Sequence, residues 1–214
     1  MLAAQARWAP TQVLGRQVEV LGEVLRDEVN LALWQRSLAS PVSAFAEHLL
    51  AKGEPLAQSM MIELASGEAP VRLAGLVEHY AAIPGQADFL ADVSWLVSAF
   101  AYLLDARRIG LRLRLLDKAM CPRFHVDHVP LRLITSYAGV GSQWLCDGVM
   151  ARRQLGNPAA EPQDIGLIER SAAGHVLLAK GEKWQGNEGA GLIHRSPPLP
   201  SGERRLLLTL DWLA

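Results

Sequence analysis

The sequence predicts an α+β protein, a helical N-terminal region packed on a C-terminal β region of sandwich or barrel type. Three observations point there. Apolar residues recur at helical spacing over much of residues 1–108. At about Ile109 the pattern changes, and Leu111-Arg-Leu-Arg-Leu115 alternates apolar and charged residues as a half-buried strand does. Short strand candidates then follow at 124–127, 131–137, 165–168, 175–179, 190–194 and 204–212, separated by Gly, Pro, Asn and Asp. The boundary falls between the helical part, 1–108, and the β part, 109–214, which together are expected to form one compact unit.

In the first part, Leu14, Val18, Leu21 and Leu25 make a stripe that predicts a helix starting near Pro10-Thr11. The segment Val29–Trp34 fits either a short strand or a continuation of that helix. The next helix is better marked. Ser40 can cap it, Pro41 suits its first position, Phe45 and Leu49 share a face, and Gly53 can end it. Another is expected over 71–80, stopped by Pro84-Gly85. The longest, over about 88–106, carries Phe89, Val93, Leu96, Phe100 and Leu103 on one side. His48 and His79 lie on these helices and read as surface or partly buried structural residues. The polar stretch 145–164, with Pro158 and Pro162, reads as a long connecting loop.

Half of the 214 residues are hydrophobic (50%) and 20% are charged, a globular composition. A formal net charge of −1 argues against strong attraction to nucleic acid or to an anionic membrane. The first ten residues lack a charged segment followed by an apolar one, so no secretory signal is expected. The apolar run 93–104 lies between Asp92 and Asp105, is too short to span a bilayer and reads as a buried helix. Two cysteines, Cys121 and Cys146, make no disulfide framework of the secreted kind, and a cytoplasmic location is expected.

Chemistry concentrates in Cys121-Pro-Arg-Phe-His-Val-Asp-His-Val-Pro130. His125 and Asp127 stand two residues apart in an extended stretch, so both side chains share one face. With His194, from Gly191-Leu-Ile-His-Arg-Ser-Pro197, they make a two-histidine, one-carboxylate set that holds a metal on one side and leaves its other positions open. A His-x-Asp triplet alone is common, so its surroundings carry the weight. The strand Arg132-Leu-Ile-Thr-Ser-Tyr137 follows, and Arg204-Arg205 open a final strand ten and eleven residues after His194. Arg132, Arg195, Ser196 and Trp144 are pocket candidates, with a surface role for Arg195 and core packing for Trp144 and Trp184 as the plainer readings. His128, three residues from His125, falls on the opposite strand face. Cys121 shares strand parity with His125, and a thiolate there favours zinc; its spacing to Cys146 is unlike a zinc ribbon, and buried structural cysteine is the simpler reading. His175 reads as an ordinary strand residue. Gly186–Gly191 lacks the Gly-Lys-Ser/Thr of a phosphate loop and reads as a turn. Lys180, Glu182 and Glu188 either support a ligating histidine or are exposed turn charges.

Over about residues 110–214 these features resemble the iron(II)- and 2-oxoglutarate-dependent oxygenase superfamily, whose fold is a double-stranded β-helix (jelly-roll). The resemblance implies that His125, Asp127 and His194 hold Fe(II). It implies that Arg205, sharing a strand face with Thr209, binds the far carboxylate of 2-oxoglutarate, and that Tyr137 touches the same carboxylate. A guanidinium suits that task because it is always charged and grips a carboxylate with two bonds. More closely, CPRFHVDHVPLRLITSY and KGEKWQGNEGAGLIHRSPPLPSGERRLLLTLDW resemble the bacterial family catalogued as domain of unknown function 1826. That family has no established activity, and its genes often accompany zinc-responsive metal-handling genes. The expectation is an Fe(II)/2-oxoglutarate dioxygenase acting on an unknown small-molecule or protein substrate. The alternatives are a non-enzymatic zinc- or iron-binding jelly-roll protein in metal homeostasis, and a cupin-like metalloenzyme without 2-oxoglutarate.

Overall fold

The computed structural model describes residues 9–64 and 71–213. Most of the segment read for a secretory signal lies outside them. In chain order the elements are β1 (Thr11–Gly15), β2 (Val29–Trp34), α1 (Ser40–Lys52), β3 (Ala57–Glu63), α2 (Gln86–Leu104), β4 (Arg108–Leu116) and β5 (Leu131–Ala138). β6 (Gln143–Leu145), β7 (Ile168–Arg170), β8 (Val176–Lys180), β9 (His194–Arg195) and β10 (Arg205–Trp212) follow. The chain is a mixed α+β fold with a core made mostly of sheet. A seven-stranded sheet runs β1-β2-β8-β5-β10-β4-β3, and a three-stranded sheet runs β7-β6-β9.

The first hundred residues are less helical than their pattern predicts. Thr11–Gly15 is a strand, paired in parallel with Val29–Trp34, and only Val18–Leu25 coils, as a 3-10 helix. Val18, Leu21 and Val24 recur every three residues, the 3-10 period, and Leu21 and Val24 are buried. β3 carried no strand signal. It is an edge strand, short of β-branched residues, and owes its form to its ladder with β4. The helix expected over 71–80 is a chain of turns ending in a 3-10 turn, Glu78–Tyr80. Val77 there has φ 47°, which no α-helix can accommodate.

The two predicted long helices are present. Pro41 occupies the first turn of α1, and Gly53, at φ 65°, closes it with an N–H bond to Leu49 O of 3.2 Å. Ser40 is helical rather than the cap; Ala39 stands there. Among the described residues α2 alone is long and apolar enough to cross a membrane. Its stripe Phe89, Val93, Leu96 and Phe100 is instead buried in the main core, where Phe89 stacks between Phe45 of α1 and Tyr137 of β5, at 5.1 and 4.6 Å.

Strand alternation then divides the large sheet into two faces. Leu131, Leu133 and Tyr137 of β5, with Leu206, Leu208 and Leu210 of β10, face the helices. Ile134 and Leu207 face the other way and pack with Leu31, Leu33, Leu177, Trp144 and Leu192 between the sheets. On β10 the inward residues are therefore Arg205, Leu207, Thr209 and Asp211. Arg204 points the opposite way and donates to Leu50 O at the end of α1, at 3.3 Å.

Candidate metal centre

His125 and His194 face each other as an isolated antiparallel bridge, with N–H···O distances of 3.0 and 2.9 Å in the two directions. Such a pair puts both side chains on one face, and here the imidazole centroids stand 4.6 Å apart. The approach depends on Gly191, where a Cβ would lie 2.3 Å from Val126 Cγ1. Each ring is oriented from behind: Nδ1 of His125 lies 2.9 Å from Arg123 O, and Nδ1 of His194 lies 3.1 Å from Leu192 O. A carbonyl accepts only an N–H, so both Nδ1 atoms carry hydrogen, and in the neutral rings it is Nε2 that presents the lone pair. Those Nε2 atoms point at Asp127, 3.6 Å from Oδ1 for His125 and 3.3 Å from Oδ2 for His194. The three donor atoms lie within 4.8 Å of one another, a spacing that one ion can bridge.

Asp127 Oδ2 is buried and in contact with Arg132 Nη1 at 2.7 Å, an ion pair outside good hydrogen-bond geometry. Burial alone would raise the Asp127 pKa. Contacts from both histidines and the charge of Arg132 outweigh it and hold the carboxyl well below the usual carboxylate range. The His125 pKa is raised, first by its contact with Asp127 and against the effect of burial.

Arg205 is fully buried and, among the described residues, its guanidinium meets no carboxylate. Nη1 donates to Ser196 Oγ at 3.4 Å, Nη2 to Ser136 and Ser142 Oγ at 3.0 and 3.2 Å, and Nε has no partner. Burial pushes its pKa down to about 10. Ser196 stands two residues beyond His194, about 7 Å along an extended chain. The buried cation thus bonds a residue two positions from His194 and of the same strand parity.

The other predicted site residues divide. Arg132 and Ser196 are at the site, Thr209 shares the inner face with Arg205, and Trp144 stands opposite His194 in register. Trp144 is also core, with Nε1 donating to Gln12 Oε1 at 2.9 Å. Arg195 is not in the pocket: alternation turns it outward, where it bonds Gln143 and Glu161 and lies 4.2 Å above the Phe124 ring. Tyr137 needs the larger correction. It is on the helix face, away from Arg205, and its hydroxyl donates to Asp92 Oδ2 at 2.6 Å, while Arg36 grips the same carboxylate. Tyr137→Phe is accordingly expected to lower stability by about 1–3 kcal/mol, measured by denaturant unfolding, and to leave unchanged any binding of 2-oxoglutarate. Weaker cosubstrate binding with intact stability would reinstate Tyr137 as a contact.

His128 is exposed and outside the cluster, as are the free Cys121 and Cys146. His48 and His79 are surface residues. His175 accepts from Ala172 N. Lys180 is buried on the helix face, donating to Arg26 O at 2.7 Å beside the Trp184 ring, and Glu182 and Glu188 bond backbone N–H groups of their own turn. None of these three contacts a histidine of the cluster. A surface cavity of about 350 Å³, lined by Gly139, Gln143, Arg170, Pro197 and Glu203 among others, includes none of the cluster residues. Ser136, Ser142 and Asp211 belong to the site and were not singled out from sequence. Asp211 had a usable signal, its strand parity with Arg205 and Thr209.

This β core, with helices on one sheet face, is a fold shared with oxygenases. The chain is similar to a Shewanella oneidensis oxygenase candidate (TM-score 0.51, 10% identity, 94% of this chain and 89% of that one). It is likewise similar to dioxygenase for auxin oxidation 1 of Arabidopsis thaliana, solved as a binary complex with 2-oxoglutarate (TM-score 0.52, 8% identity, 97% and 93%). At such identities the likeness shows the fold alone. By sequence the chain belongs to the DUF1826 family, described as protein of unknown function, whose model matches residues 15–211. No curated protein matches it by sequence.

Proposed function

We propose that this chain is a cytoplasmic non-haem iron(II), 2-oxoglutarate-dependent oxygenase built on a double-stranded β-helix, acting on a substrate still to be identified. The observation that carries the reading is a pairing. Two imidazole Nε2 atoms and a carboxylate converge, and Arg205, which bonds Ser196 two residues beyond His194, is a buried guanidinium without an acid partner among the described residues. A buried cation of that kind is costly unless an anion arrives to pair with it. The donor set of two nitrogens and one carboxylate oxygen fits iron(II) and leaves coordination positions open. When bound, iron(II) with 2-oxoglutarate supplies oxidative decarboxylation of the cosubstrate to succinate, coupled to oxidation of a second substrate.

The chain's own residues then have defined tasks. His125, Asp127 and His194 hold one side of the ion. Arg205, oriented by Ser136, Ser142 and Ser196, clamps the far carboxylate, and Trp144, buried opposite His194, keeps water from that side of the ligand. The test is an anaerobic titration of the apo-protein with iron(II) and then 2-oxoglutarate, followed by visible absorption. The weak charge-transfer band of the chelate is the expected result. Tight metal binding with no band and no measurable 2-oxoglutarate affinity would replace this reading with a metal-handling role for iron or zinc.

A further inference from the structure

Asp127 differs from the two histidines in how it is held. The histidines are locked by their backbone bridge and by the Nδ1 bonds behind each ring. Asp127 lies beyond the bridge, in a stretch outside any ladder, and its side chain has no such support from the backbone. What it has is Arg132, whose guanidinium bridges two carboxylates. Nη1 contacts Asp127 Oδ2 at 2.7 Å, and Nε donates to Asp211 Oδ1 at 2.6 Å. Asp211 is itself fixed. It is 3% exposed, sits on a strand paired on both sides, and its second oxygen takes Arg112 Nη1 at 2.7 Å. Both Asp211 oxygens are thereby engaged, one by Arg112 and one by Arg132, so the carboxylate holds the Arg132 guanidinium in place.

We infer that Arg132, anchored by Asp211, is the positioning residue for the metal-binding carboxylate, aiming Asp127 at the two Nε2 atoms. The inference rests on the proposed reading that His125, Asp127 and His194 hold a divalent ion. A rigid planar fork holds two carboxylates in fixed directions, whereas a lysine ammonium is a point charge on a flexible stem and fixes their geometry less well. Groups that orient a metal ligand from behind typically contribute about 10–100-fold to metal affinity. Arg132 thus acts through Asp127, and its half-buried position at the site is explained without contact to a substrate.

Cobalt(II) tests this without turnover, by titration calorimetry and by the d–d absorption of the bound ion. Arg132→Met is expected to weaken cobalt(II) binding about 10–100-fold and to alter the d–d spectrum, because a loosened carboxylate changes the coordination geometry. Arg132→Lys should recover part of both effects, and Asp211→Asn should shift both in the direction of Arg132→Met. Circular dichroism and thermal unfolding of the apo-proteins check the fold, and if Arg132→Met does not fold, the other two variants decide. Wild-type affinity and spectrum in folded variants overturn the positioning role while leaving the metal site standing. A wild-type protein that binds no cobalt(II) overturns the metal reading itself.

Discussion

Arg205→Met is expected to abolish 2-oxoglutarate binding, spare the metal, and leave the apo-protein at least as stable as the wild type. On the proposed reading the first effect follows from the loss of a buried, charge-assisted carboxylate clamp, worth about 2–5 kcal/mol, so affinity should fall by roughly 30-fold or more. The metal is spared because Arg205 touches no atom of His125, Asp127 or His194; its recorded partners are serine hydroxyls. The stability effect has the opposite sign to most core substitutions. Burial lowers the Arg205 pKa to about 10, so at neutral pH the folded state carries a charge it holds less well than the unfolded state does. Below pH 10 both states are charged and the full penalty, on the order of 3 kcal/mol, is present. Above about pH 10 the folded state releases its proton before the unfolded state does, and the penalty fades. Methionine removes it at every pH, loses the three serine contacts and keeps most of the packing volume. The net expectation is a gain of roughly 1–2 kcal/mol, measured by urea unfolding of both apo-proteins. Addition of 2-oxoglutarate with a redox-silent metal should then raise the unfolding temperature of the wild type only. Equal cosubstrate stabilisation of both proteins would remove Arg205 from the cosubstrate site.

Strand parity decided which parts of the site could be read from sequence. His125 with Asp127 and Arg205 with Thr209 are spaced by even numbers, and period-two geometry holds within any strand wherever it packs. The same rule exposes the misplaced residues. Arg132 and Tyr137 are five apart on β5, so they face opposite sides and only one could reach the interior. His194, Arg195 and Ser196 alternate in the same way, which excludes Arg195 once its neighbours point inward. What the sequence did not contain was partnership. The bridge between His125 and His194, the ladder that makes residues 57–63 a strand, and the parallel pairing that takes residues 11–15 out of a helix all depend on segments distant in the chain. Tertiary pairing overrode local spacing there, because the penalty for leaving a preferred local conformation is small beside a strand's worth of hydrogen bonds and burial.

The second large effect is expected from His194→Ala. Structural sites with four ligands bind zinc with about 10–16 kcal/mol, or roughly 2.5–4 kcal/mol per ligand, so removing one of the three proposed protein ligands should weaken iron(II), cobalt(II) or zinc binding by roughly 70- to 900-fold. The fold should survive. The His194 contribution to the bridge with His125 is made by backbone N–H and C=O groups, which alanine retains. What alanine does remove is the imidazole, its Nδ1 bond to Leu192 O and its contact with Asp127. Asp127 keeps Arg132 as a counter-charge, so the apo-protein is left with a small polar gap rather than an unpaired buried carboxylate. Metal content after reconstitution, with thermal unfolding of the apo-protein as the control, checks both halves. Unchanged metal affinity in a folded His194→Ala protein would remove His194 from the ligand set. Among the described residues the cluster consists of His125, Asp127 and His194, so without His194 too few ligands remain there to hold an ion.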